Sequence, residues 1–215
     1  MKNTECLPKK ISIFPLSNFI IFPNTSMPLN IFEPRYIQMI DDSMKNERII
    51  GMIQPKKQKK NKSELFSVGC AGKITSFNET DDGRYLIIIK GISRFKISKE
   101  INNNKLYREF EINFEDYKKE DILNNNNNEI KFTDLKLIFN NLKCFFEKKG
   151  YNINWKELEK QSLDQTINTL VMASPFSLEE KQILLEAINI NNRKIQLEKI
   201  LNTYIVDDFN NKTIQ

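Results

Sequence analysis

The sequence predicts an α+β protein: a β-rich N-terminal part with one inserted helix, followed by a C-terminal helical bundle. Three observations lead there. Short alternating or apolar runs fill residues 11–120. A single helix, marked by Pro34, interrupts them. Beyond "DILNNNNNE", Asp121 to Glu129, the apolar spacing becomes helical.

"ISIF" opens the strand series, and "NFIIFP" is read as the next strand. "MPLNIF" follows, with Leu29 and Ile31 alternating with Asn30 and Phe32. Pro23 and Pro28 bracket a turn, since neither can donate to a central ladder. Pro34 lacks a backbone N–H, which is harmless at a first helical position, and Glu33 stands before the helix's positive end. Tyr36, Ile37, Ile40 and Met44 then recur at helical spacing. "RIIGMIQP" and "LFSVGCAGKITSF" read as strands, the second bent or bulged at Gly69 and Gly72. Asp82-Gly83, in "ETDDGRY", is a hairpin turn. "YLIIIKG", Tyr85 to Gly91, is continuously apolar, as in a strand buried on both faces. "RFKI" and "EFEINFE" alternate, with Phe110, Ile112 and Phe114 on one side.

Leu135, Ile138, Leu142 and Phe145 form a helical stripe that Gly150 ends. "WKELEKQ" and "SLDQTINTLVMAS" are two further helices. Ser177 and Glu180 form a capping box that opens the next. Leu197, Ile200, Leu201 and Tyr204 face inward from the last. The expected organisation is a tail at 1–10, a β-rich part at 11–120, an Asn-rich linker at 121–129, a helical part at 130–206 and a tail at 207–215.

Composition narrows the chemistry. The 215 residues carry a net charge of +5, too little for a nucleic-acid signature. The basic run Lys56 to Lys62 contains no aromatic and reads as a solvated loop. Cys6, Cys70 and Cys144 are odd in number without C-x-x-C spacing, which fits a reducing compartment. No run reaches the ~18 apolar residues of a membrane span, and the N-terminus lacks a signal peptide's apolar centre. A cytoplasmic location is the expectation.

The absence of His removes the usual general base and the commonest zinc ligand. The nearest P-loop match, Gly72-Lys73, is followed by Ile74, and position 67 is Ser67. Asp41-Asp42, Asp81-Asp82 and Asp207-Asp208 read as solvated pairs. Cys70 reads as a small core residue. Arg35, Arg84 and Arg94 each flank an apolar element. They either fix carboxylates and loop carbonyls or line a ligand or peptide groove.

"FPLSNFIIFPNTSMPLNIFEPRYIQMI", "VGCAGKITSFNETDDGRYLIIIKGISRFKI" and "SPFSLEEKQILLEAINI" resemble the Lon protease N-terminal (substrate-binding) domain family, in its stand-alone bacterial form, over roughly residues 11 to 205. The resemblance implies a PUA-like pseudo-barrel followed by a helical bundle. It rests on Pro23, Pro28, Phe32, Glu33, Pro34, Arg35, Tyr36, Gly69, Gly72, Gly83, Arg84, Tyr85, Gly91, Arg94 and Phe95. Their reading is mainly architectural: Arg35 pairs across the strand-to-helix corner, and Phe32 belongs to the core. The resemblance implies a non-catalytic module that recognises unfolded segments or one protein partner, for a protease in trans. It brings no ATPase, no serine-lysine protease, no cofactor, no metal and no small-molecule substrate. An RNA-binding module of PUA-like fold is the alternative, disfavoured because the aromatics occupy core-patterned positions.

Overall fold

The structure, a computed structural model, describes residues 7–56, 64–117, 136–158 and 160–212. The Asn-rich run, and the basic run beyond Lys56, lie outside the described residues. The chain divides into two compact units, Met1–Asp116 and Tyr117–Gln215.

The first unit is a six-stranded sheet that closes on itself. Its strands are β1 (Lys10–Pro15), β2 (Ser26–Ile31), β3 (Ile49–Ile53), β4 (Val68–Glu79), β5 (Tyr85–Ile101) and β6 (Arg108–Asn113), with helix α1 (Pro34–Met44) between β2 and β3. The strand order is β2-β5-β4-β3-β1-β6, and β6 also pairs with β5. That second pairing makes a barrel of β1, β3, β4, β5 and β6. It leaves β2 as an outer edge strand on the first half of β5. β1 and β3 pair in parallel; the other pairs are antiparallel.

The barrel interior is built from Ile11, Ile13, Ile53, Leu65, Ala71, Phe95, Phe110, Ile112 and Phe114. Phe95 is fully buried and meets Phe114 edge-on at 6.4 Å between ring centroids. Two glycines give its ring room. A Cβ on Gly51 would stand 3.0 Å from the Phe95 Cζ, and one on Gly69 2.8 Å from it and 2.5 Å from the Met52 carbonyl oxygen.

Helix α1 turns Tyr36, Met39, Ile40 and Ser43 inward. The buried stripe is thus rotated from the expected one, because Ile37 and Met44 stay partly exposed. Tyr36 meets Phe14 edge-on at 4.4 Å. Asp41 and Asp42 do not form a merely solvated pair. The Tyr85 hydroxyl donates to Asp41 at 2.9 Å and the Tyr107 hydroxyl to Asp42 at 2.8 Å, tying the helix to two strand regions.

Three further expectations change. "NFIIFP" is not a strand: residues 18–22 are irregular, yet Ile20, Ile21 and Phe22 are buried. "YLIIIKG" and "RFKI" form one strand of 17 residues rather than two. The first half of that strand is buried on one face only, since Leu86 and Ile88 are 45% and 43% exposed.

The second unit contains α2 (Lys136–Lys148), α3 (Trp155–Leu158), α4 (Leu163–Ala173), α5 (Leu178–Glu186) and α6 (Ile190–Lys212). Helix α6 continues beyond residue 206, where a tail is expected. Ile138, Leu142, Phe145 and Phe146 are buried on α2, and Gly150 follows it with φ +76°. The capping box is present: Glu180 N–H donates to the Ser177 hydroxyl at 3.1 Å, and Ser177 N–H to the Glu180 carboxylate at 2.7 Å. Arg193, only 1% exposed, joins three helices. It donates to Asp164 at 2.9 Å and Asn168 at 3.0 Å on α4, and to the Leu184 carbonyl at 3.2 Å on α5.

Phe95→Ala should cost about 3–5 kcal/mol, the range for deleting a buried ring. Gly91→Ala should cost about 1–3 kcal/mol, because the added carbon meets the Phe22 carbonyl. Urea denaturation measures both, and a Phe95→Ala cost under ~1 kcal/mol would contradict the barrel's packing.

Candidate functional site

The corner "FPNTSMPLNIFEPRY" organises one end of the first unit. Pro23 and Asn24 form its turn, with Asn24 at φ +62°. Thr25 closes it: its hydroxyl donates to the Phe22 carbonyl at 2.6 Å and accepts from Phe22 N–H at 3.2 Å. The turn is stitched to β5 at Gly91. Asn24 N–H donates to the Gly91 carbonyl at 2.9 Å, and Gly91 N–H to the Thr25 carbonyl at 2.8 Å. Gly91 is required here because a Cβ would collide with the Phe22 carbonyl. The turn is Pro23-Asn24 alone. Pro28 lies within β2 opposite Ile88, and an edge strand tolerates a missing donor.

Glu33 caps α1 in extended conformation, and Pro34 is the first helical residue. The Glu33 side chain makes no capping bond and instead pairs with Arg35 at 2.7 Å. This pair is local and solvent-exposed, so it does not lock strand to helix through a buried charge. Arg35 also lies 4.5 Å over the Tyr36 ring, whose hydroxyl burial pushes to a higher pKa. Phe32 is 62% exposed and not a core residue, so deleting it carries no buried-ring cost.

The remaining motif residues separate by depth. Gly83, at φ +78°, makes the β4–β5 hairpin turn, where the Arg84 guanidinium pairs with Asp82. Hydrogen bonds from Arg84, then Thr80, hold the Asp82 carboxyl well below the usual range. Tyr85 is buried against Phe77 at 4.8 Å, and its bond to Asp41 raises its pKa. Gly72 lies at a register shift of β4, against Ile89. Arg94 is 1% exposed and stands opposite Cys70, so it lines no surface groove. Burial pushes the Cys70 thiol up to about 12, against lowering by the Arg94 charge and by a backbone hydrogen bond at Ile92. That is the reverse of an activated nucleophile.

The outward face of β2, β5 and β4 is what the sequence reading missed. Register places three rows across it: Ser26–Lys90–Lys73, Pro28–Ile88–Ser76 and Asn30–Leu86–Asn78. Phe32 stands just past the end of β2, two residues after Asn30. Leu86 and Ile88 project from the middle strand of the three, and with Phe32 and Pro28 they make an apolar strip with polar margins. A signal existed in the partners: Asn30, Ser76 and Asn78 are poor choices for a face buried on both sides.

The second unit carries another apolar surface. A groove of about 460 Å³ between α5 and the start of α6 is lined by Ile183, Ala187, Ile188 and Ile195, with Glu186, Asn192 and Gln196. Among the described residues, no three His, Cys, Asp or Glu side chains cluster to hold a metal, and no helix is long and apolar enough to cross a membrane.

A family model for the ATP-dependent protease La (LON) substrate-binding domain matches residues 10–203. The Lon protease of Malacoplasma penetrans is 32% identical over 197 residues, 85% of this chain and 23% of that protein. The Lon protease of Buchnera aphidicola is 28% identical over 203 residues, 91% of this chain and 25% of that protein. The chain thus spans about a quarter of these relatives' length. The crystal structure of a Lon N-terminal domain protein from Xanthomonas campestris superposes with a TM-score of 0.62 at 17% identity, covering 90% of this chain and 97% of that one. The N-terminal domain of Mycobacterium avium complex Lon protease gives 0.61 at 14% identity, covering 90% and 98%.

A thiol reagent should modify exposed Cys144 and spare Cys70 until the chain unfolds. Peptide mass mapping reads this out. Because the folded-state thiol is raised, its contribution to stability is complete below the ordinary value of 9.0 and is lost as pH climbs through about 12. Cys70→Ala should flatten that alkaline slope. Early labelling at Cys70 would contradict its enclosure.

Proposed function

The chain belongs to the LON substrate-binding domain family, and from that membership we propose that it is a non-catalytic module that binds extended polypeptide segments on the outward face of β2, β5 and β4. What it binds is an unfolded segment or the exposed apolar segment of a partner, presented to a protease. The observation that carries the reading is the pair Leu86 and Ile88, 45% and 43% exposed on a middle strand, with Phe32 62% exposed beside them. Single exposed apolar residues are ordinary, but a contiguous strip rimmed by polar residues marks an interaction surface.

The strip suits an extended chain. Residues two apart on a strand are roughly 7 Å apart, and alternate side chains of an extended partner share that repeat. Leu86 and Ile88 supply two positions one such step apart. The groove on α5 and α6 instead gathers Ile183, Ile188 and Ile195 from two helices and their connection, without that linear repeat. The motif residues around the strip serve it as scaffold: Gly91 and the Pro23-Asn24 turn fix β2 beside β5. Nothing in this mechanism needs a reacting group. Binding rests on apolar burial, with polar margins keeping the face hydrated when empty.

The double substitution Leu86→Ser/Ile88→Ser tests this. Both side chains are half-exposed, so stability to urea should change by less than ~1 kcal/mol. Affinity for a fluorescent unfolded polypeptide should fall about tenfold or more, as expected when central apolar anchors are removed. Unchanged affinity would refute the assignment. Binding that weakens steeply with salt and favours an oligonucleotide would point to RNA instead.

A further inference from the structure

The middle strand of the open face has its main-chain groups taken up on both sides. Gly91 N–H donates to the Thr25 carbonyl at 2.8 Å, one step before the Ser26–Lys90 pair. Antiparallel ladders alternate. Met27, Leu29 and Ile31 therefore turn their main-chain groups to β5, and Ser26, Pro28 and Asn30 turn theirs to the outer edge of β2. Across β5, Thr80 N–H donates to the Arg84 carbonyl at 2.9 Å, and the same alternation joins Asn78 to Leu86 and Ser76 to Ile88. Ser26, Pro28 and Asn30 are all exposed, and the middle one has no N–H. The missing donor falls where an added strand would need it. A proline so placed leaves the β2–β5 ladder intact and blocks strand addition. The far edge of β4 turns Phe77 and Glu79 outward, beyond the β3 register that ends at Lys73. A strand added to either edge would lie two strand spacings, roughly 10 Å, from β5, too far to cover Leu86 and Ile88.

We propose that the strip recognises side chains alone, and that Pro28 enforces this by keeping strand addition off the β2 edge. The proposal rests on the polypeptide-binding reading of the same face. The substrate class it names is an apolar segment whatever the hydrogen-bonding capacity of its main chain, including one interrupted by proline. Such a segment lays its apolar side chains on Ile88, Leu86, Pro28 and Phe32 and keeps its own N–H and C=O groups in water. Strand addition works the other way: main-chain bonds supply the affinity, and a proline in the segment removes them. Unfolded chains populate the polyproline II conformation, whose backbone is solvated and makes no internal hydrogen bonds. A surface that reads side chains takes such chains without first drawing them into a ladder.

Three fluorescein-labelled peptides with the same apolar residues test it: a parent, a copy N-methylated at alternate residues, and a copy with proline at some of its polar positions. Wild-type protein should bind all three within about threefold of one another. A ladder would behave otherwise, since each lost bond costs a factor of about five and three of them about a hundredfold. A preference for the parent of roughly tenfold or more overturns the proposal. Pro28→Val restores the edge N–H, which faces water, so its urea midpoint should match the wild type. This variant should gain a preference for the parent of about fivefold or more. Equal binding of all three peptides by Pro28→Val overturns the part assigned to Pro28. Leu86→Ser/Ile88→Ser separates the two readings. If that variant still binds the parent as the wild type does, the face itself is wrong and the side-chain recognition falls with it. If it loses the parent while the wild type already rejects the methylated copy, only the side-chain recognition falls.

Discussion

The fit of one aromatic ring against two glycine positions, one on each of two neighbouring strands, sets the geometry of the first unit. Phe95 is enclosed at the centre of the barrel, and Gly51 on β3 and Gly69 on β4 leave the space it occupies. Over its second half, which carries Phe95, strand β5 exchanges β2 for β6 as a neighbour. That exchange closes the barrel and simultaneously leaves the first half of β5 flanked by β2 and β4 in an open three-stranded face. The buried ring and the exposed strip are thus two consequences of one long strand.

The second constraint is the close approach at Gly91. The irregular segment carrying Ile20, Ile21 and Phe22 buries its apolar side chains without a ladder of its own. Its turn finds partners for its polar backbone in the Thr25 hydroxyl and in Gly91. β2 emerges from that turn in register with β5, and α1 follows after Glu33-Pro34. Asp41 and Asp42 then hold α1 through Tyr85 and Tyr107. Architecture therefore occupies the inside of the "FPNTSMPLNIFEPRY" stretch, while Pro28 and Phe32 face outward beside Leu86 and Ile88.

Much of this was legible in residue order. Proline at a first helical position, Asp-Gly between two strands, the Ser177–Glu180 box and the alternation of Phe110, Ile112 and Phe114 all rest on local chemistry. What escaped depended on partners distant in sequence. Whether "YLIIIKG" is covered on both faces is decided by the neighbours of β5, not by its own apolarity. The Tyr–Asp bonds bridge 44 and 65 positions, beyond any local pattern. Arg193 was nearer to view: it lies four residues before Leu197 on the inward face of α6, a position where a charge demands partners. Phe32 misled because aromatic residues beside strands are more often inside than out.

The central claim is that the open half of β5 is where a polypeptide lies. The most direct measurement is photo-crosslinking from an unfolded peptide that bears a benzophenone in its apolar stretch, with the attachment sites mapped by mass spectrometry. The account predicts attachment within residues 28–32, 76–78 and 86–90. Attachment concentrated on residues 183–196 would place the binding surface on the helical unit and contradict it.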